Sequence, residues 1–530
     1  MKNSGAAADL TLNVAEGKDL TYASELSGAL NVTKDGKGTQ TLTGEKILYS
    51  GSTTVNDGTL KIDAVPGSLT ETESPIPAHQ FFLNGGTLYQ VSALNDAAKN
   101  ANYSFNGGTL SVTGVSTDHL NKISIEADGG TIDWRGKGTD QLYLTLANGT
   151  TAAKDTVFML NGINVTGGNC NSFHIVTNNF TGKIGVSGGK LIAKTDGFSK
   201  FSGVVLDGGT LMFNANLDSL KNFTLPIELT ENGGTLRGGS NITYTMKGVI
   251  SGTGELGISG DNGPIVFANS QNSFSGGLNV GANLNIGDEN KAIAKLGAND
   301  ALGTGVVSIS HAKASLDLAG FSLTNTPIAG LSSTVSGAVL KNSSSNASTL
   351  TLRVPEGKSE SYAGKVTGNI DLVKTGAGNQ TFTGAYASTG GITIAEGTLT
   401  FADNSFDLPN SALSIEETGI LALNGASLDL GSLDMALESL LFFDPASETI
   451  SLTTDSFQGK AGDFSLSWNG VTDTLFGNLA DYFTMDPNGF LSLTALPAGP
   501  DVPGVPEPAA WLLLLAGLGI FKLRCRTSRN

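Results

Sequence analysis

The chain has 530 residues and a net charge of −17, and only 15% of its residues are Asp, Glu, Lys or Arg. This acidity argues against a nucleic-acid partner, because phosphates require clustered Lys and Arg. Glycine is abundant, at 71 residues or roughly twice the usual ~7%. So long a chain exceeds what one compact core can organise, so we expect several domains or an elongated repeat architecture.

The N-terminal segment lacks a feature that export would require. Residues 1–9 contain no apolar run of the kind found in a secretory signal peptide. Repeat sequence is already present by Leu10, so we expect the natural chain to begin upstream of Met1.

Two distant segments repeat each other. Leu10 to Gly44 matches Leu350 to Gly384 without a gap, with 17 of 35 positions identical. After one residue of slippage the match resumes with Gly51, Thr54, Gly58 and Leu60 against Gly390, Thr393, Gly397 and Leu399. With a weaker third copy, the repeats lie near 10–62, 244–286 and 350–401.

The repeated pattern has three parts: Lys-x-Gly-x-Gly, a Thr-rich strand that ends in Gly, and Thr-(Val/Ile)-x-x-Gly-Thr-Leu. It resembles the autotransporter-associated β-strand repeat. Members of that family build right-handed parallel β-helices in exported passenger regions. The resemblance therefore implies an all-β fold, with a right-handed parallel β-helix (β-solenoid) over 1–432.

Between the copies, one short corner pattern recurs. Asn or Asp followed by Gly-Gly-Thr-(Leu/Ile) begins at Asn84, Asn106, Asp128, Asp207 and Asn232. Several spacings of about 20 to 25 residues suit one solenoid coil. The glycines supply positive φ angles at a tight corner, and the alternation that follows predicts Leu inward and Thr outward.

The composition changes near Leu433, where glycine thins out and aromatic residues become more frequent. We interpret 433–495 as a C-terminal cap of mixed β-structure with a little helix. The proline-containing segment 496–504 is predicted to be an extended linker.

Residues 505–530 have a tripartite layout: a Pro-Glu-Pro turn, a short apolar helix and a basic end. This layout resembles the PEP-CTERM sorting signal, which an exosortase recognises. The apolar stretch alone is short for a membrane span, but snorkelling Lys and Arg stems extend its reach and their charges favour a cytoplasmic end. The resemblance implies a sorting signal at Val505, Pro506, Glu507 and Pro508, a membrane segment that includes Trp511, Leu512, Leu513, Leu514, Leu515, Ile520 and Phe521, and a basic stop at Lys522, Arg524, Arg526 and Arg529.

No motif for catalysis, cofactor binding or metal binding emerges from the remaining residues. The four histidines are far apart in sequence, and none has ligand or triad spacing. Gly252-x-Gly254-x-x-Gly257 has the letters of a dinucleotide fingerprint, but no helical pattern follows it. The adjacent acids Glu416-Glu417 and Asp288-Glu289 lie in turn-like sequence. We predict a protein that is not an enzyme and has no cofactor, although coils could bring distant carboxylates together.

These observations predict an exported structural or adhesin-like cell-surface β-helix that is transiently anchored in the inner membrane. The resemblance to the PEP-CTERM signal implies an exosortase, the membrane and exopolysaccharide as partners. The alternative is a carbohydrate-binding or carbohydrate-active β-helix, which a groove with several carboxylates would favour. A true autotransporter passenger is a third possibility, but it would require a C-terminal translocator barrel.

Overall fold

The computed structural model describes most of the chain up to residue 402 and parts of the chain beyond it. The described residues are 1–44, 47–63, 79–91, 101–113, 117–135, 140–162, 172–214, 217–239, 241–260, 262–282, 291–402, 406–424, 428–435, 440–443, 449–452, 458–460, 463–468, 471–472, 483–485 and 490–493. They form two compact units, one of Met1–Gly257 with Asp261–Gly263 and one of Ile258–Gly260 with Pro264–Asn530.

Unit 1 contains two parallel sheets whose strands alternate along the chain. In the first sheet the strand order is β1 (Lys2–Asn13), β3 (Leu26–Asp35), β6 (Thr53–Val55), β8 (Gln80–Leu83), β10 (Asn102–Phe105), β12 (Thr117–Ile125), β14 (Gln141–Asn148), β16 (Ser172–Asn179), β18 (Lys190–Ala193), β20 (Thr210–Phe213) and β23 (Gly234–Arg237), with β5 (Ile47–Tyr49) beside β3. In the second sheet it is β2 (Asp19–Tyr22), β4 (Thr39–Leu42), β7 (Thr59–Ile62), β9 (Thr87–Gln90), β11 (Thr109–Val112), β13 (Gly130–Trp134), β15 (Val157–Gly162), β17 (Lys183–Val186), β19 (Gly203–Leu206), β22 (Ile227–Leu229) and β25 (Ile250–Gly252).

A few short elements complete unit 1. Strands β21 (Asn222–Phe223) and β24 (Tyr244–Met246) pair in parallel. A 3₁₀ turn at Asp196–Lys200 and a helical turn at Asp218–Lys221 are the helical elements among the described residues. Strand β26 (Leu256–Ser259) contains the boundary between the units.

The core of unit 1 is built from aligned inward side chains on successive coils. From β7 to β22, one aliphatic residue of each second-sheet strand lies directly above that of the previous coil. These buried residues are Leu60, Leu88, Leu110, Ile132, Leu160, Val186, Leu206 and Leu229. The outward neighbours form a second column of Thr39, Thr59, Thr87, Thr109 and Thr131. The predicted Leu-inward, Thr-outward arrangement is confirmed.

The Gly-Gly corners behave as their sequence predicts. The first glycine of each pair has a positive φ, for example 87° at Gly107 and 65° at Gly233. The second glycine is needed for space, because a Cβ at Gly108 would lie 2.7 Å from the backbone of Leu83 on the preceding coil. Corner geometry therefore requires both glycines.

Unit 2 is also built from parallel strands. Its strands up to the second repeat copy are β27 (Ile265–Phe267), β28 (Leu278–Val280), β29 (Ala292–Leu296), β30 (Val307–Ile309), β31 (Ala314–Asp317), β32 (Leu323–Ile328), β33 (Leu331–Ser332), β34 (Val339–Lys341), β35 (Ser348–Arg353), β36 (Ser359–Tyr362), β37 (Lys365–Gly368), β38 (Ile370–Thr375), β39 (Asn379–Phe382), β40 (Tyr386–Ser388) and β41 (Ile392–Ala402). Each pairs with a strand about one coil away, as in β38 with β41 and β39 with β41. The predicted all-β parallel solenoid is confirmed in both units, while its right-handedness stays a prediction.

Beyond the second copy, parallel pairing continues and then gives way to antiparallel pairing. Strands β42 (Phe406–Asn424), β43 (Leu428–Met435), β44 (Leu440–Phe443) and β45 (Thr449–Leu452) pair in parallel with their predecessors. Strands β46 (Gln458–Lys460), β47 (Asp463–Trp468), β48 (Val471–Thr472), β49 (Phe483–Met485) and β50 (Phe490–Leu493) make antiparallel pairs. The cap boundaries, 433 to 495, stay a prediction.

Two sequence interpretations are settled by these strands. Glu416 lies in β42 rather than in a turn, next to a register shift against β41. The glycines of Gly252-x-Gly254-x-x-Gly257 lie in and between β25 and β26, with no helix following them in the described chain. Within the described residues, no helix has the length and apolar character needed to cross a bilayer.

Candidate functional surface

The predicted sorting residues lie outside the described part of the chain. Residues 494–530 contain Val505 to Pro508, the apolar segment from Trp511 to Phe521 and the basic residues from Lys522 to Arg529. The linker, 496–504, lies there too. The described residues contain no cluster of His, Cys, Asp and Glu that could hold a metal ion. Among the described residues, the outward faces of the solenoid are the candidate functional surface.

The lysine that the two repeat copies share has an internal, structural role. Lys34 is fully buried, and its Nζ donates to the backbone carbonyls of Asp35, Gly36 and Asp57 at 2.8, 2.5 and 3.2 Å. Burial lowers the pKa of Lys34, and the carboxylates of Asp57 and Asp35 partly oppose that shift. The ammonium group thus ties together two consecutive corners.

The second copy reproduces this arrangement with different neighbours. Lys374 is also fully buried and donates to the carbonyls of Thr375, Gly376 and Glu396 at 2.9, 2.5 and 3.0 Å. Burial lowers its pKa to about 8, with the Glu396 carboxylate acting in the opposite direction. The lysine of Lys-x-Gly-x-Gly is therefore a tie between coils, and it is not available to a ligand.

Coiling brings together two histidines that the sequence separates widely. His119 on β12, Tyr143 on β14 and His174 on β16 are direct register partners. Their rings stack at centroid distances of 4.7 and 4.6 Å, with interplanar angles of 15° and 17°. Sequence spacing missed this column because the two offsets, 24 and 31 residues, reflect coils of unequal length.

This column is a packing device more than a chemical site. The ring faces cover one another, and the two imidazoles are separated by a full tyrosine ring. Burial, together with the charge of Lys194, lowers the pKa of His174 to about 4. The Nε2 atom of His174 is buried without a hydrogen-bond partner, which is compatible with a neutral ring.

A different part of the same outward face exposes an aromatic ring. Phe82 on β8 is 39% exposed, whereas the flanking Phe81 and Leu83 are buried. Its register partners are Thr54 on β6 and Ser104 on β10. No aromatic contact involves Phe82 in the described chain. A partly exposed ring among short hydroxyl side chains can pack against a planar, weakly apolar ligand.

The inward side of β8, the strand that carries Phe82, makes close aromatic and hydrogen-bond contacts. The Phe81 ring stacks on that of Tyr103 at 5.1 Å and lies 4.5 Å from the His79 ring. His79 Nε2 is 2.7 Å from Thr53 Oγ1, which also lies 2.6 Å from the Tyr49 hydroxyl. Burial lowers the pKa of His79 to about 4. The inward side of the strand that carries Phe82 is therefore held by aromatic and hydrogen-bond contacts.

Comparison with known proteins supports the repeat interpretation. The family model described as Passenger-associated-transport-repeat matches residues 32–62 and 372–401. These segments carry the buried lysines and the Gly-Thr-Leu strands described above. The predicted repeat resemblance is confirmed for these two copies, and the weaker copy at 244–286 stays a prediction.

One curated relative is similar to part of the chain. The adhesin BmaC autotransporter of Brucella suis biovar 1 (strain 1330) is 32% identical over 203 residues, which is 37% of this chain and 5% of the relative. The chain thus matches only a small fraction of the length of that protein. No solved structure shows significant similarity to the chain.

Proposed function

We propose that the protein is an exported, adhesin-like β-solenoid of the cell surface that is sorted through its C-terminal Pro-Glu-Pro signal and works in an exopolysaccharide matrix. No chemical step is part of this role. The solenoid holds flat polar faces at a distance from the membrane, and contacts on those faces supply attachment. Exosortase acts on the C-terminal segment, which anchors the chain transiently in the inner membrane.

The observation that carries the proposal is the pair of repeat copies. Two segments match a repeat model whose description refers to passenger transport, and a relative described as an adhesin shares 32% identity over 203 residues. Both copies bury their matching lysine and the leucine of the Gly-Thr-Leu strand, whereas many outward positions face solvent and are available for attachment. The sorting part of the proposal rests on the sequence of residues 505–530 alone.

Sorting is tested by following the C-terminus of the protein. The full gene is expressed in a host that has an exosortase, as wild type and as Glu507→Ala. Glu25→Ala, which removes an acidic residue far from the signal, is the matched control. We expect intact mass to show loss of the tail and fractionation to place wild type and Glu25→Ala at the surface, while Glu507→Ala is retained in the inner membrane.

Two results would contradict the sorting proposal. In one, all three proteins keep the tail and remain in the cytoplasmic fraction. In the other, Glu507→Ala is processed and displayed as well as the wild type, which would leave the Pro-Glu-Pro turn without a role.

A further inference from the structure

We propose that the outward face of the first sheet around Phe82 binds a neutral β-linked polysaccharide laid across the strands. This inference rests on the proposed function and gives its attachment role a partner class and a site. The face is defined by a central column of Thr33, Thr54, Phe82, Ser104 and Ser124 on β3, β6, β8, β10 and β12.

The central column combines one apolar ring with hydroxyl groups at regular spacing. Neighbouring strands in a sheet are about 4.8 Å apart, so Thr54 and Ser104 lie one strand to either side of Phe82. A pyranose ring with equatorial hydroxyls has C–H groups on both faces, and such a face packs on an aromatic ring. Its neighbours along the chain would then lie over the hydroxyl positions.

Amide side chains lie on one side of this column and are aligned by their own hydrogen bonds. Asn84 Nδ2 donates to Asn56 Oδ1 at 3.0 Å, and Asn56 Nδ2 donates to Asp35 Oδ1 at 2.9 Å. On the next coil, Asn106 Oδ1 accepts from the backbone of Asp128 at 3.3 Å. Aligned amides are held with little loss of side-chain entropy on binding, and they can donate to and accept from sugar hydroxyls.

The other side of the column is similar. Gln80 and Asn102 are register partners on β8 and β10, and both are half-exposed. Two strands away, on β3, Asn31 Oδ1 accepts from the Ser52 backbone at 3.2 Å while Asn31 Nδ2 donates to Asp9 at 2.9 Å. Phe82 is thus bordered by amides on both sides of its strand.

The charges in and beside the central column favour a neutral ligand. The central column has no ionisable side chain from Thr33 to Ser124, in a protein of net charge −17. The carboxylate of Asp35 accepts from Asn56, and that of Glu126 accepts from Thr151 at 2.7 Å, so the nearest acids are already hydrogen-bonded. A polyuronate would meet these carboxylates without a cationic partner in the column, which disfavours it.

Binding is measured with purified full-length protein by affinity electrophoresis and calorimetry, with soluble β-glucan, dextran and polygalacturonate as probes. We expect wild type to bind β-glucan and Phe82→Ser to bind it at least ten-fold more weakly. Val176→Ser is the matched control, because Val176 is an exposed apolar residue on β16 of the same sheet. It should bind as wild type does.

The alternative outcomes overturn the inference in separate ways. Equal β-glucan binding by wild type and Phe82→Ser would show that Phe82 is not part of the binding site. Stronger binding of polygalacturonate than of β-glucan would contradict the proposal that the ligand is neutral. Absence of binding to all three probes would contradict the inference outright. Surface display of Phe82→Ser is measured in parallel, since display tests the proposed function independently of binding: normal display without glucan binding by the wild type refutes only this inference.

Discussion

The two repeat copies, 32–62 and 372–401, share their buried lysine and their corner glycines but differ at several outward positions. Both bury a lysine that joins two corners, and both place a glycine with positive φ at the start of the Gly-Thr-Leu strand, Gly58 with 62° and Gly397 with 71°. Outside, however, the positions of Thr33 and Asn56 are taken by Val373 and Ala395 in the second copy, and the place of Phe82 on the following coil is taken by Ser414.

This difference separates residues that build the coil from residues that give a coil its surface. Internal positions meet the same backbone groups on every coil, so the same residue types recur. Outward positions contact solvent or a partner, so packing does not fix them. Function that resides on a solenoid face is therefore expected where the copies diverge, and the first copy with its next coil carries the aromatic and amide residues.

The shared corner glycine gives the largest expected effect. In Gly58→Ala, the new Cβ would be forced against the carbonyl oxygens of Gly36 and Gly38, and in Gly397→Ala against those of Gly376 and Gly378. With the added cost of a positive φ, we expect a loss of about 3 kcal/mol or more from the free energy of unfolding of either unit. Urea unfolding and hydrogen exchange of β7 or β41 measure it.

Gly17 and Gly357 provide matched controls. Their φ angles are 72° and 70°, but a Cβ there meets nothing within 4 Å. Ala at either position should cost only about 1 kcal/mol, from backbone strain alone. Equal losses at Gly58 and Gly17 would show that close approach between coils is not the constraint.

The buried lysines come next. Lys34→Met or Lys374→Met leaves three backbone carbonyls without their donor, while removing the cost of burying an ammonium group. We expect a net loss of about 2 kcal/mol at each site, equal within error between the copies. Hydrogen exchange of the backbone amides at the two corners measures this loss. A stabilising effect of either substitution would contradict the proposed role of the lysine in joining the two corners.

Acid should weaken unit 1 through His174 and His79. Both have a pKa of about 4 in the folded protein against 6.5 for an ordinary histidine. As pH falls, the unfolded chain takes up these protons at a higher pH than the folded protein does. The contribution of the neutral histidines to the free energy of unfolding is therefore fully present above about pH 6.5 and declines as pH falls toward 4. His174 is partly exposed, so solvent screens part of this effect, and we expect it to account for about 1–2 kcal/mol of the loss.

His174→Gln isolates that contribution. It should flatten part of the decline between pH 6.5 and 4 in urea-unfolding experiments, whereas His119→Gln, at the other end of the same column, is the control. An unchanged pH profile in His174→Gln would contradict the assignment.

The outward residues should have the smallest effect on folding. Phe82→Ser gives the first copy the residue found at the corresponding place after the second copy, and we expect unfolding free energy to change by less than about 0.5 kcal/mol. The reverse substitution, Ser414→Phe, adds a ring beside Thr393, the counterpart of Thr54, but with Ala395 and Val373 in the places of Asn56 and Thr33. It should therefore not create β-glucan binding. A gain in affinity equal to the loss in Phe82→Ser would mean that the ring suffices without its amide borders.

The coils of the solenoid could be predicted from the sequence, but the neighbours on its outward face could not. Identical residues at a shift of 340, together with the Gly-Gly corners, predicted the coils because each coil meets the same steric limits. The sequence did not reveal that His119 stacks against Tyr143 or that Phe82 lies between Thr54 and Ser104. Those neighbours depend on the length of each intervening loop, which varies between coils and is not encoded in the repeated positions.

The central claim, an adhesin-like protein of the cell surface, is tested most directly by attachment of living cells of the native host. Wild-type cells, a strain lacking the gene and a strain complemented with the full gene are labelled with an antibody to unit 1 and their retention under flow on a polysaccharide-coated surface is measured. We expect labelling of intact wild-type and complemented cells, and a several-fold loss of retention in the deletion strain. Labelling only after lysis, with retention unchanged by the deletion, would contradict the account.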